Sequence, residues 1–231
     1  MNASLRVLLG ALALTVFAGR GLAADPVVLF DGKTLTGWKF KGNETKSKWQ
    51  VGTAVMDEAD PKKLVLKEGG NEMVNLSSGV DIYSDSKFGD CIIEVEVMVP
   101  KGSNSGIYLM GEYEVQVFDS WGKKAEELKY GDMGGIYNTA PPRVNASKKP
   151  GEWQKFVIEF RAPRFAGGKK TENAKFLKVT LNDQVIHENV EVPKPTTSSL
   201  TGKENPTGPL MLQGDHGPVA YRNLVVKPLK D

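Results

Sequence analysis

Cysteine is almost missing from this chain, with Cys91 the single one in 231 residues. No disulfide can form within it, so a hydrophobic core has to hold the fold together. Histidine is nearly as scarce, represented by His187 and His216 alone. No histidine pair stands at metal-ligating spacing, and no calcium-loop pattern occurs. An excess of one charge is also lacking. Two of the 30 basic residues, Arg6 and Arg20, lie in the first 24 positions, which hold no acid; beyond them the chain balances at 28 basic and 28 acidic side chains. Nucleic acid and anionic membrane surfaces select for a basic excess, so neither is expected as a partner. The lysine pairs starting at Lys62, Lys123, Lys148 and Lys169 read as solvated loop charges. No apolar run reaches the ~20 residues that span a bilayer. Helical periodicity is missing too: only Lys123 to Lys129 suits a helical turn or two.

What is present begins with an export signal. Arg6 gives a positive start, Val7 to Ala18 an apolar run, and Gly21-Leu22-Ala23-Ala24 small residues for cleavage. Residues 1–24 are therefore expected to be a signal peptide and residues 25–231 a single domain, periplasmic or extracellular in a bacterium, with no membrane span once the leader is removed. No cysteine follows the apolar run, so lipid anchoring is not expected; the competing reading is an uncleaved membrane anchor.

Beyond the leader, apolar residues alternate. Val27 to Phe30, Trp49 to Met56, Leu64 to Leu66, Val80 to Tyr83, Cys91 to Val99, Gly106 to Met110, Trp153 to Arg161, Phe176 to Leu181, Gln184 to Glu188, Leu210 to Gln213 and Tyr221 to Lys227 read as strands. Asn182-Asp183 is expected to turn a hairpin. Cys91 shares a strand face with Ile93, Val95 and Val97, which makes it a buried, inert thiol and not a nucleophile. Many strands without βαβ alternation indicate an antiparallel all-β sandwich, a jelly roll of two sheets.

The richest stretch runs from Lys101 to Trp121. In it Tyr113, Val115 and Val117 fall on one strand face, and Glu112, Glu114 and Gln116 on the other. Carboxylates ~7 Å apart along a face suit glycosidic cleavage, one as acid and one as base or nucleophile; a solvated strand face is the plain alternative. Asn104 in Gly102-Ser103-Asn104-Ser105-Gly106 either turns the chain or offers its amide to a ligand, since the strand-to-helix setting of a nucleophile elbow is absent. Gly32-Lys33-Thr34 is no phosphate loop, because position 27 is a valine and no helix follows. In Gln213-Gly214-Asp215-His216-Gly217 an imidazole beside a carboxylate is a natural proton-transfer group; a loop histidine bonded to backbone is the alternative. His187 reads as a surface residue. Arg222 could hold a sugar hydroxyl or an oxyanion, or bridge to a carboxylate structurally. A metal could be assembled from Glu114, Gln116, Asp215 and His216 across strands, but no spacing requires it.

In these segments the chain resembles the 3-keto-disaccharide hydrolase domain family, described as 3-keto-glucoside lyases and 3-keto-2-hydroxy-glucal hydratases. The matching segments are LFDGKTLTGW, FGDCIIEVEV with NSGIYL, YEVQVFDS, GGIYN, PGEWQKFVIEF and LQGDHGPVAYRNLVVKPL, from Leu29 to Leu229. The resemblance implies a concanavalin A-like jelly roll with a sugar-binding sheet. It carries over Asn104, Glu114, Gln116, Asp119, His216 and Arg222; Glu112 lies outside the motif. One departure is the glycine between Gln213 and Asp215, which leaves the placement of Asp215 open. The implied chemistry starts from a ketone at C3, which acidifies the C2 hydrogen, so that a base can remove it and the C1 substituent can leave. His216 is expected as the base, and Glu114 as a second acid/base group or as ligand to one divalent cation. Tyr108, Trp121, Gln213 and Asp215 complete the expected substrate contacts. Two other functions stay open: a non-catalytic carbohydrate-binding module stacking sugar on Trp121 and Tyr108, and a conventional glycosidase using Glu112 and Glu114.

Overall fold

A computed structural model describes residues 25–229; the expected signal peptide, residues 1–24, lies outside the described residues. Strands form where the alternation is strongest. They are β1 (Val27–Val28), β2 (Trp38–Phe40), β3 (Trp49–Met56), β4 (Leu64–Asn75), β5 (Ile82–Phe88), β6 (Cys91–Met98), β7 (Asn104–Leu109) and β8 (Tyr113–Phe118), then β9 (Gln154–Arg161), β10 (Arg164–Ala166), β11 (Lys169–Glu172), β12 (Ala174–Leu181), β13 (Gln184–Val192), β14 (Gly208–Leu212) and β15 (Val219–Pro228). Helix is confined, among the described residues, to single 3-10 turns at Glu44–Lys46 and Ala125–Glu127, the second inside the stretch expected to turn.

Two antiparallel sheets stack face to face. The larger has the order β13-β12-β9-β6-β15-β4-β3, with β1 pairing on β15, and the smaller β2-β5-β14-β7-β8. In the larger sheet Ile93 lies opposite Ile158 and Val95 opposite Phe156, so the inward residues of β6 and β9 form one apolar ridge. Ile107 and Leu109 of β7, Tyr113, Val115 and Val117 of β8, and Leu210 and Leu212 of β14 meet that ridge in a single core. Burying such side chains contributes ~1.5–3 kcal/mol each, which is how a chain without disulfides holds its shape. Cys91 is part of this core, and burial pushes its thiol up to about 12. The architecture is the two-sheet jelly-roll sandwich expected from the alternation, of the concanavalin A-like form that the resemblance implies.

Three local readings are corrected and one hairpin is added. The Asn182-Asp183 hairpin forms as expected, both residues having positive φ, but β13 shifts register between its pairs Thr180↔Val185 and Val179↔His187. That bulge breaks the alternation and turns Ile186 and His187 to the buried side. His187 is thus 2% exposed, with Nε2 2.8 Å from the Gly134 carbonyl, and burial holds its pKa down; it is no surface residue. Glu112 is a turn residue and not part of β8: Met110 and Gly111 have positive φ and the Glu112 amide donates to Leu109 O at 3.0 Å. Leu64 begins a strand far longer than Leu64 to Leu66. The charged hairpin β10–β11, turned by Gly167 and Gly168, carries no alternation that could announce it.

Candidate functional site

The outward face of the smaller sheet carries the polar residues that the core rejects. Gly106 and Tyr108 on β7 pair with Gln116 and Glu114 on β8, so the four stand in one square. The segment after β8 folds back along its edge: Gln116 N donates to Gly135 O at 2.8 Å and Tyr137 N to Glu114 O at 3.1 Å. A second loop reaches the same edge, its Thr196 hydroxyl accepting from Glu114 N at 3.1 Å. Together they enclose a cleft that brings Asn104, Tyr108, Glu114, Gln116, Gln213 and His216 to one place, joined by Tyr137, Thr197 and Ser198.

Glu114 is 3% exposed. Loss of hydration raises its pKa to about 8, and the nearby carboxylates of Asp81 and Asp215 add to the rise, against a lowering hydrogen bond from Tyr108. At neutral pH the side chain is therefore mostly a neutral acid, able to give a proton. Its space is made by Gly106, where a Cβ would come 2.4 Å from Glu114 Oε1. Gly106→Ala is accordingly expected to turn the carboxyl out of its burial, and its midpoint in a carboxyl NMR titration should fall from about 8 toward the ordinary range. An unmoved midpoint would show that the carboxyl does not depend on that space.

His216 is half-exposed at the rim, its Nδ1 paired with the carboxylate of Asp215. A carboxylate only accepts, so Nδ1 carries the hydrogen of that pair and the lone pair of the neutral ring is on Nε2. The glycine that departs from the family pattern has a physical cause here. A Cβ at Gly214 would lie 2.3 Å from Val80 O and 2.6 Å from Trp49 Nε1, so no other residue fits. Asn75, fully buried, donates from Nδ2 to Gly214 O and Gly217 O, 2.9 and 2.8 Å away, and clamps both sides of the Asp215-His216 pair. Asp81 accepts from Gly214 N at 3.0 Å and from Lys41 Nζ at 3.2 Å, and Lys41 reaches Ser198 O at 2.6 Å. This brace connects the two walls of the cleft. Burial raises the Asp81 pKa.

Amide donors and acceptors fill the floor. Gln116 Nε2 donates to Asn104 Oδ1 at 2.7 Å, leaving the Asn104 N–H groups for a ligand. Gln213 Oε1 is buried and has no protein partner, an acceptor awaiting a donor.

Other expected contacts lie elsewhere. Arg222 follows the core residue Tyr221 and so points to the outer face of the larger sheet. There it lies 4.0 Å from the Trp153 ring, donates from Nε to Glu96 at 2.8 Å and has Glu72 3.6 Å away, a structural bridge. Asp119 accepts from Gly102 N and Trp121 N and fastens the end of β8 to the start of β7. Trp121, 52% exposed, stands apart from the cleft beside Lys149. Tyr108 is 1% exposed and offers no ring face for stacking. Glu112 is held by Thr201 N at 3.0 Å, Thr201 Oγ1 at 2.6 Å and Gly202 N at 3.0 Å, and lines a different cleft, so it forms no carboxylate pair with Glu114. Among the described residues no three His, Cys, Asp or Glu side chains converge as a metal-holding group.

Sequence reading missed Asp81, Lys41, Asn75, Thr197 and Ser198. Each acts through a contact between segments far apart in the chain, which no local pattern announces.

Comparison with known proteins agrees with this architecture. A curated 3-keto-disaccharide hydrolase of Bacteroides thetaiotaomicron is 26% identical over 239 residues, covering 88% of this chain and 78% of the relative. A crystal structure of a Parabacteroides distasonis protein, provisionally assigned as a glycosyl hydrolase, superposes with a TM-score of 0.62 at 27% identity, over 89% of this chain and 84% of that one. A second protein from the same organism, with the same provisional assignment, reaches a TM-score of 0.61 at 18% identity over 89% and 94%, a likeness of fold. The profile of the 3-keto-alpha-glucoside-1,2-lyase-like domain matches residues 25–227, and the protein belongs to that family.

Proposed function

We propose that this protein is an exported enzyme that cleaves 3-keto-glucosides by elimination, with hydration of the resulting glucal giving net hydrolysis. The observation that carries the reading is a buried Glu114, its pKa raised to about 8, in one cleft with the Asp215-backed imidazole of His216. An acid and a base in one cleft are what the keto sugar needs. His216 Nε2 takes the proton from C2, and the electron pair moves toward the C3 oxygen. The C1–O bond then breaks, and the departing oxygen takes the proton of Glu114, releasing the alcohol and a 2-hydroxy-enone. For hydration, Glu114 as carboxylate takes a proton from water as that water adds to C1, and the imidazolium returns a proton to C2. Amide N–H of Asn104 suits the developing negative charge at the C3 oxygen, and Gln213 Oε1 accepts from a sugar hydroxyl. Export rests on the leader pattern of residues 1–24.

The test is turnover of a 3-keto-glucoside against its unoxidised parent, with and without EDTA. Cleavage of the keto sugar alone, with enone absorbance and no effect of EDTA, is expected. Cleavage of the parent at a similar rate would replace elimination by ordinary glycoside hydrolysis. Binding of both with turnover of neither would make this sheet a binding module, and loss of activity in EDTA would restore a divalent cation as a partner of the cleft.

A further inference from the structure

A groove of about 540 Å³ continues from the cleft, sharing Tyr137 and Thr197 with it. We propose that this groove is the aglycone subsite, holding the second ring of a neutral 3-keto-disaccharide against Tyr130. The inference rests on the elimination reading for the identity of the departing group, though the groove's affinity for a ring can be tested without it.

Tyr130 is 45% exposed and lines the groove beside Tyr137, so its ring is open to a ligand there. Yet it is held firmly. Buried Asp132, two residues on, accepts from Ser120 Oγ at 2.9 Å, Lys123 Nζ at 2.5 Å and Lys129 N at 2.9 Å. Gly135 packs so closely that a Cβ there would lie 2.2 Å from Tyr130 O. Tyr137 meets the Tyr130 ring edge-on, at 5.3 Å between centroids and 81° between planes. An exposed ring fixed in advance loses little freedom when something stacks on it.

The opposite wall suits a ring as well. Pro193 and Pro195 are stiff and apolar, and Asn138 Nδ2 donates to Thr197 Oγ1 at 3.2 Å across the groove, fixing its width. Lys194 is the one charged side chain among the lining residues, so the groove offers no complement to a multiply charged aglycone. Direction settles which ring sits there. Glu114, whose own carbonyl bonds Tyr137 N, is the acid for the oxygen that departs, and the groove opens on the Tyr137 side of it. The group carried by that oxygen enters the groove.

Two measurements on the full mature chain decide this. The first is binding of unoxidised, α-linked glucose disaccharides and of methyl glucoside, with saturation-transfer NMR to locate the ring contact. Disaccharides are expected to bind tighter, with saturation reaching the leaving-side ring. Tyr130→Ala should weaken that binding roughly threefold to tenfold, the range of an aromatic contact, and Tyr130→Phe should restore it. Equal binding of disaccharide and methyl glucoside, or no response to Tyr130→Ala, would overturn the subsite. The second is the kcat/KM ratio of a 3-keto-disaccharide over methyl 3-keto-glucoside, which should fall about fivefold in Tyr130→Ala; an unaltered ratio would also overturn it. If disaccharide binding behaves as expected while no keto sugar is turned over, the subsite stands and the elimination chemistry falls.

Discussion

His216→Ala is expected to lower kcat on a 3-keto-glucoside by 10²–10⁴-fold, the contribution of a positioned general base. The fold should be unaffected, since the ring is half-exposed and its hydrogen bond is to Asp215 alone. A readout specific to the base is exchange of the C2 hydrogen with solvent. In heavy water the wild type should wash deuterium into C2 of unreacted keto sugar, and His216→Ala should lose exchange and elimination in equal measure. Retained exchange with lost elimination would move the base elsewhere, and the only other described histidine, His187, is sealed against the Gly134 carbonyl.

Glu114→Gln separates the two halves of the reaction. Gln fits the same space but has no proton to give, so cleavage of a keto-disaccharide should fall by 10²–10⁴-fold. A p-nitrophenyl 3-keto-glucoside, whose leaving anion needs no proton, should lose less than about tenfold. Deuterium exchange at C2 should survive. The pH profile carries the same signature: wild-type elimination should decline as pH rises through about 8, where Glu114 loses its proton, and the variant should lack that limb. Equal losses on both substrates would mean that Glu114 is not the acid.

Stability moves with the same proton. The folded pKa of about 8 stands above the ordinary value of 4.5, so between these two the native state binds the extra proton. Stability consequently falls as pH rises through that window, by up to about 1.4 kcal/mol per unit, and the penalty is constant above it. Glu114→Gln should therefore match the wild type in thermal midpoint near pH 4 and exceed it at pH 9. A midpoint lowered at both pH values would show that the carboxyl stabilises the fold.

The alternation of apolar residues announced the two-sheet sandwich because each sheet has one face in the core, and Cys91, Ile93, Val95 and Val97 obey that rule residue by residue. It failed where a bulge resets the period, as at Ile186 and His187, and where a turn residue mimics it, as at Glu112. Six of the expected ligand contacts do gather in one cleft, four of them, Asn104, Tyr108, Glu114 and Gln116, because residues at even spacing on β7 and β8 share a face as a matter of pleat geometry. Arg222 illustrates the limit. Its position beside the core residue Tyr221 was visible, but which sheet Tyr221 belongs to depends on the pairing of β15 with β4 and β6, and no local signal gives that. Asp81, Lys41 and Asn75 were silent for the same reason.

That pairing has a consequence for how the molecule comes into being. β15 follows every other described strand in the chain, yet it lies inside the larger sheet: Val219 to Tyr221 pair with β4, Val225 and Val226 with β1, and the opposite edge with β6. Until it is synthesised, the sheet is two fragments with unsatisfied edges, and the hydroxyl of Tyr221 that meets Ser105 is not yet there to join the sheets. Closure therefore waits for contacts as distant in sequence as Ala220 with Met98 and Tyr221 with Met73, and pairing of such long range slows folding. A chain that stays open until its last strand emerges is one that can still be threaded through a narrow channel.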